Sequence, residues 1–282
     1  ENIYRAIREE LGREWESLRI SDDFMFGRVM RSPELCRGML ERIFPRLKAN
    51  PIEYLEHQKS IDLSKDAKGI RLDVYLKTPG KVFDIEMQTV RKPHLPQRAR
   101  YYNSVITLDL LDKGQDYDEM DDCFVVFICL EDPFGRGLYQ YPFEHKCQLD
   151  NTLNMDDGGH TVFLNAAGTE GVISPDLRAF LDYVAGKPVQ GDPYIDSLEQ
   201  AVREPRQNRE WRHQYMIYKL WEMDKLEEGR EEGLKEGREE SMKKVTYRMM
   251  QMGKPDAEIA EITDLPLQQI KELRKQLHLQ EA

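Results

Sequence analysis

The run Ile70-Arg71-Leu72-Asp73-Val74-Tyr75-Leu76, followed across Thr78-Pro79-Gly80-Lys81 by Val82-Phe83-Asp84-Ile85-Glu86-Met87-Gln88-Thr89, decides the fold. Ile70, Leu72, Val74 and Leu76 alternate with Arg71, Asp73 and Tyr75, the period of two expected of a strand. Pro79-Gly80 is a turn signal, and two β runs across so short a loop predict an antiparallel hairpin. Pairing Lys77 with Val82 places Asp73 opposite Glu86, Arg71 opposite Gln88 and Tyr75 opposite Asp84. Opposed residues share a sheet face. Arg71, Asp73, Asp84, Glu86 and Gln88 are therefore expected on one face, and Ile70, Leu72, Val74, Leu76, Phe83, Ile85, Met87 and Thr89 on the other.

Upstream of the hairpin, Ile3, Ile7, Leu11, Trp15 and Leu18 form an apolar stripe at helical spacing over residues 1–20. A second helical region covers residues 22–44, with a fresh start at Ser32-Pro33. Residues 52–60 read as a strand. Downstream, residues 95–111 read as a helix, and the continuous apolar run Cys123–Leu130 as a strand covered on both faces. Residues 139–149 and 160–165 read as further strands turning at Asp157-Gly158-Gly159. Residues 175–184 and 194–226 return to helix, the second interrupted near Pro205.

The 282 residues carry 41 Lys+Arg against 52 Asp+Glu, a net charge of −11, with 40% hydrophobic residues. That length supports one or two domains with a sizeable core. The acidic balance argues against wholesale coating of nucleic acid, though a local basic groove is compatible with it. No apolar run approaches the roughly 20 residues of a membrane span, and the opening Glu1-Asn2-Ile3-Tyr4 begins no leader-like run. Cys36, Cys123, Cys129 and Cys147 form no CxxC pair, which points to buried thiols in a reducing cytoplasm. The six His lack zinc-ligand spacing.

Two carboxylates opposed on neighbouring strands repel each other. A divalent cation resolves that repulsion, and Mg²⁺ accepts a few carboxylates plus waters. The alternative is a solvated strand face with scattered acids. Just downstream, Arg91, Lys92, Arg98 and Arg100, with His94, Tyr101 and Tyr102 among them, give residues 91–102 four positive charges and no acid. Such groups can hold phosphate oxygens, and Tyr can stack on a base. A solvated amphipathic helix face is again the alternative.

The set Asp73…Glu86-Met87-Gln88 resembles the Asp…Glu-x-Lys core of PD-(D/E)XK nucleases. Arg71-Leu72-Asp73-Val74-Tyr75, Asp84-Ile85-Glu86-Met87-Gln88 and Arg98-x-Arg100-Tyr101-Tyr102 together resemble the recombination-promoting nuclease and transposase family more closely. Asp23-Phe24-Met25-Phe26, the hairpin of residues 152–165 and the Glu-Gly repeats agree, so the resemblance covers roughly residues 20–240. It implies a restriction-endonuclease-like α/β core, with a mixed central sheet flanked by helices and a helical C-terminal extension. It also implies Mg²⁺ or Mn²⁺ on Asp73, Glu86 and the Met87 backbone carbonyl, with Asp23 as a further acid beside the plainer role of helix cap. Gln88 stands where other nucleases have Lys. It would orient water through a neutral amide, leaving charge stabilisation to the metal, Arg71 or Lys92. The implied activity is hydrolysis of DNA phosphodiesters with relaxed sequence preference, using Arg71, Arg91, Lys92, Arg98, Arg100, Tyr101 and Tyr102 as DNA contacts. A degenerate nuclease fold serving as a binding or assembly module, and an RNA nuclease, are the rival readings.

The expected domains are a helix over 1–20, the nuclease-like domain over 21–226, a Glu/Gly-rich helix or linker over 227–241 and a small helical unit over 242–282. Gly229, Gly233 and Gly237 recur every four residues. Each costs about 0.8–1 kcal/mol in a helix, which suits a close partner and a homodimer, with a hydrated, partly frayed linker as the alternative. Residues 242–279 show a short helix–turn–helix pattern around Asp264-Leu265-Pro266. Its acids Asp256, Glu258, Glu261 and Asp264 favour a packing unit over DNA readout.

Overall fold

The computed structural model describes residues 2–47, 51–61, 69–111 and 114–280, and the chain divides into two compact units, Glu1–Tyr215 and Met216–Ala282. The first unit opens with α1 (Asn2–Ser17), α2 (Asp23–Val29) and α3 (Pro33–Ile43). The starts of α2 and α3 are capped as their sequence asks. Asp22 accepts the Phe24 and Met25 amides, and Ser32 accepts the Leu35 amide with Pro33 in the first turn; a short polar cap satisfies amides that have no helical partner.

The sheet follows: β1 (Tyr54–Ile61), β2 (Ile70–Thr78), β3 (Lys81–Gln88), helix α4 (Leu95–Leu110), β4 (Asp122–Cys129), β5 (Gln140–Phe143) and β6 (Gly159–Asn165). The strands form a six-stranded sheet in the order β1-β2-β3-β4-β6-β5. The β1–β2, β2–β3 and β5–β6 pairs are antiparallel, while β3–β4 and β4–β6 are parallel. α4 is the crossover between parallel β3 and β4, as a parallel pair requires. Helices α5 (Pro175–Val184) and α6 (Pro193–Gln207) and the start of α7 (Arg209–Gln251) complete the unit.

Both sheet faces are buried. One packs on α1–α3, α5 and α6 through Val74, Leu76, Phe83, Ile85, Met87, Val126 and Ile128. The other packs on α4 through Ile70, Leu72, Tyr75, Val125 and Phe127. This architecture is the mixed α/β sheet with flanking helices that the resemblance implies.

Three expectations change. The hairpin loop is two residues, Pro79-Gly80, because Thr78 and Lys81 still pair, and Gly80 takes a left-handed φ of 70°. The strand expected over 139–149 is only Gln140–Phe143; Gly158 precedes β6 and Gly159 begins it, so neither turns a tight hairpin. The helical break lies at Asn208, whose side chain caps α7, while Pro205 sits in the last turn of α6.

Residues 227–241 lie within α7, and α8 (Asp256–Thr263) and α9 (Leu267–Gln280) end the described chain. Among the described residues no helix is long and apolar enough to cross a membrane.

Candidate active site

Asp73 marks a change of face. The β1–β2 register pairs His57 with Val74 and Lys59 with Leu72, leaving Gln58 opposite Asp73 and unpaired. Gln58 is left-handed, with φ 55°. On one side of this rung Leu55, Val74 and Leu76 join the core under α1–α3; on the other Ile61, Ile70 and Leu72 join the core under α4. Both strands therefore exchange faces together. The expected single apolar face of Ile70, Leu72, Val74 and Leu76 is corrected accordingly.

The β2–β3 ladder ends at the Val74–Ile85 pair. Beyond it, carboxylates replace the missing backbone partners. The Asp73 amide donates to Glu86 Oε1 at 2.9 Å, and the Met87 amide donates to Asp73 Oδ2 at 3.1 Å. A buried backbone N–H needs an acceptor, so the sequence commits one oxygen of each acid to holding the other strand. Arg71 pairs with Ser60 of β1, not with Gln88 as expected.

α4 supplies the cation. Arg98 Nη2 lies 2.6 Å from Glu86 Oε2, and its Nη1 donates to Gln88 Oε1 at 3.3 Å. The guanidinium stacks over Tyr102 and Phe127, 4.8 and 5.6 Å from the ring centroids. Gln88 Nε2 donates to the Met87 carbonyl at 2.7 Å. Both ends of the Gln88 amide are thus engaged.

Burial sets the acid strengths. It pushes the Glu86 carboxyl up to about 8, with Asp73 adding like-charge repulsion and Arg98 opposing. Burial raises Asp73 to about 6, and Asp23 in the first turn of α2 adds to the rise. Asp84 is fully buried, with the Glu86 carboxyl as the polar group beside it. Burial first, then Glu86, holds its carboxyl well above the usual range. Burial works against the Arg98 charge and is the largest single influence, but Glu86, Tyr102 and Asp73 together outweigh it and raise the guanidinium pKa.

These groups suit a hard divalent cation: they are oxygen donors whose burial and mutual repulsion a positive ion would relieve. Among the described residues no group of three or more His, Cys, Asp or Glu side chains is arranged to hold a metal. An ion here would rest on two carboxylates, the usual protein share for Mg²⁺.

The structure brings Asp73, Glu86, Gln88, Arg98 and Tyr102 together, with Asp23 at their edge. Arg98 and Tyr102, expected as DNA contacts, are committed to the acids and to each other, and Tyr102 is buried. Arg71, Arg91 and Lys92 are exposed, and Tyr101 is half-buried. Arg100 lines a separate groove of about 870 Å³ beside Asn103, Phe134 and Phe143. Asp84, expected on the polar face but given no role there, joins the cluster two residues before Glu86 on one strand. No sequence signal singles out His57, one residue before the Gln58 rung. Both its ring nitrogens are buried without a partner, and burial pushes its pKa down to about 4.

Residues 23–156 match a family model described as PD-(D/E)XK nuclease family transposase, so the resemblance read from the hairpin holds over that segment. The segment contains every residue of the cluster. No curated protein and no solved structure matches the chain.

Proposed function

We propose that the PD-(D/E)XK nuclease family transposase domain of residues 23–156 is a Mg²⁺-dependent DNA endonuclease of low sequence specificity, working in recombination or mobile-element biology. The observation that carries this reading is the mutual clasp of Asp73 and Glu86, two acids raised to about 6 and 8 and held at one opening of the sheet. Their oxygens would hold Mg²⁺ or Mn²⁺, with the Met87 carbonyl as a further donor and Asp23, the further acid expected from the sequence, adding negative charge at the edge of the cluster and not a third carboxylate ligand. A bound divalent ion supplies Lewis-acid polarisation of a phosphoryl oxygen and a lower pKa for water.

The chain's own groups do the rest. Arg98 fixes Glu86 and keeps one of its oxygens engaged, and Gln88 couples Arg98 to the Met87 carbonyl. Arg71, Arg91 and Lys92, which are exposed, would hold the nucleic-acid backbone, with Tyr101 beside them and Arg100 reaching it from the separate groove. Backbone contacts carry no sequence information, hence the relaxed preference. A homodimer aided by the Glu/Gly-rich part of α7 belongs to the same proposal.

A second reading has its own support. Gln88 replaces Lys and has both amide ends occupied, which suits a fold that binds without cutting. Cleavage of matched DNA and RNA by the full chain, with Mg²⁺ and with chelator, decides. We expect Mg²⁺-dependent cutting of DNA, reduced at least about a hundredfold by Asp73→Asn or Glu86→Gln, the scale on which removing one preorganised electrostatic group acts. Cutting by both variants at the parent rate, or of RNA alone, contradicts the proposal. Binding without cutting selects the second reading.

A further inference from the structure

In the second unit, α8 spans eight residues and α9 fourteen, joined by Asp264-Leu265-Pro266. Asp264 is left-handed, with φ 53°, which turns the chain sharply. Met250, near the end of α7, is buried with Ile259 of α8 and Ile270 and Leu273 of α9, and Tyr247, Met249, Ala260 and Leu265 pack around them. Thr263 is buried too, its hydroxyl donating to the Ile259 carbonyl at 2.7 Å. A short helix and a longer one, joined by a three-residue turn and seated on a third helix, is the arrangement that presents a second helix to the DNA major groove.

The exposed face of α9 has the matching chemistry. Gln268, Gln269, Lys271, Glu272 and Lys275 are all exposed, opposite the buried Ile270 and Leu273. Gln pairs with adenine, Lys with guanine and Glu with cytosine at base edges. Charge agrees as well. Residues 242–280 hold seven Lys/Arg against five Asp/Glu, in a chain of net charge −11. The preceding residues 227–240 hold seven acids against three bases. Two ion pairs lie inside the module, Asp256 with Arg274 at 2.6 Å and Glu258 with Lys254 at 2.6 Å, which leaves five of the seven bases and three of the five acids for other contacts. Glu261 and Asp264 stay exposed at the end of α8 and in the turn.

We propose that α8 and α9 form a duplex-DNA-reading module, with Gln268, Gln269 and Lys271 of α9 at base edges and Lys275 on phosphate. Sequence preference then resides in this unit, while the nuclease domain stays indifferent to sequence. The inference does not depend on cleavage.

The test is repeated selection from a pool of randomised DNA duplexes by the full chain in chelator, followed by affinity titrations across salt concentrations. We expect a short enriched motif. Gln268→Ala with Gln269→Ala should weaken binding to the selected duplex about tenfold and leave random duplex within about twofold, because a bidentate base contact acts only on the right base. Lys275→Ala should weaken every duplex and flatten the salt slope by about one, the unit expected for one lost phosphate contact. These side chains are exposed, and circular dichroism of each variant confirms that the helices persist. An unenriched pool, parental motif and affinity in both variants, or a preference for folded RNA overturns the proposal. Enrichment without any cleavage retains it and removes the endonuclease reading instead.

Discussion

Buried beside Asp73 and Asp84, the Glu86 carboxyl keeps its proton up to a pH of about 8, against 4.5 for the free side chain. The folded chain therefore binds more protons than the unfolded chain across that interval, and stability falls as pH rises through it. His57 works in the opposite sense. Its folded pKa of about 4 stabilises the fold above 6.5 and is lost as pH falls toward 4. The window from about 6.5 to 8 lies above His57 and leaves the buried acids, Glu86 with the raised Asp84 beside it. Without divalent ions the melting temperature should drop across that window, by the equivalent of about 1–2 kcal/mol, since one unit of pKa is worth 1.36 kcal/mol. Glu86→Gln, which cannot ionise, should flatten the profile. An equally steep profile in that variant would place the titration elsewhere.

Among the elements, the hairpin was the most legible. Its register held from Val74 to the turn because turn chemistry and strand period agree: Tyr75 faces Asp84 and Lys77 faces Val82, as read from Pro79-Gly80, while the expected Asp73–Glu86 and Arg71–Gln88 pairs lie beyond the end of the ladder. What failed was the face of Ile70 and Leu72, and the cause lies one strand away. Glutamine has no marked preference for a left-handed backbone, so nothing at Gln58 announces that β1 and β2 change face there. Arg98 was legible as a cation near the acids but not as a partner of Glu86, because the approach of α4 to β3 is a tertiary fact. The Gln58 rung makes its own prediction. Gln58→Gly, free in the left-handed region, should keep Asp73 in place and stabilise the chain slightly, because relief of about 1–2 kcal/mol of left-handed strain exceeds the roughly 0.5–1 kcal/mol entropic cost of glycine. Gln58→Val, whose β-branch resists that conformation, should destabilise it and weaken Mn²⁺ binding measured by calorimetry. Equal Mn²⁺ affinity in the two variants would separate the rung from the site.

For the molecule as a whole, the family match ends at residue 156, while the described chain runs on through two helices of the first unit and the long α7. The glycines of α7 carry a testable consequence. Gly229, Gly233 and Gly237 face open space, with nothing inside the chain near where a Cβ would sit. Their close-approach capacity is used only if another copy docks there. Converting all three to Ala should raise helix stability by about 0.8–1 kcal/mol each while lowering the dimer fraction seen by light scattering. An unchanged dimer fraction, or a monomeric parent at every concentration, removes α7 as the assembly surface.

The account rests on two acids of neighbouring strands sharing one divalent ion, and crystals soaked in Mn²⁺ and measured at an anomalous wavelength address this directly. We expect a peak between Asp73 and Glu86, within coordination distance of an oxygen from each and absent from Glu86→Gln crystals. A soaked crystal with no peak there, or with the ion held only at other residues, would contradict it.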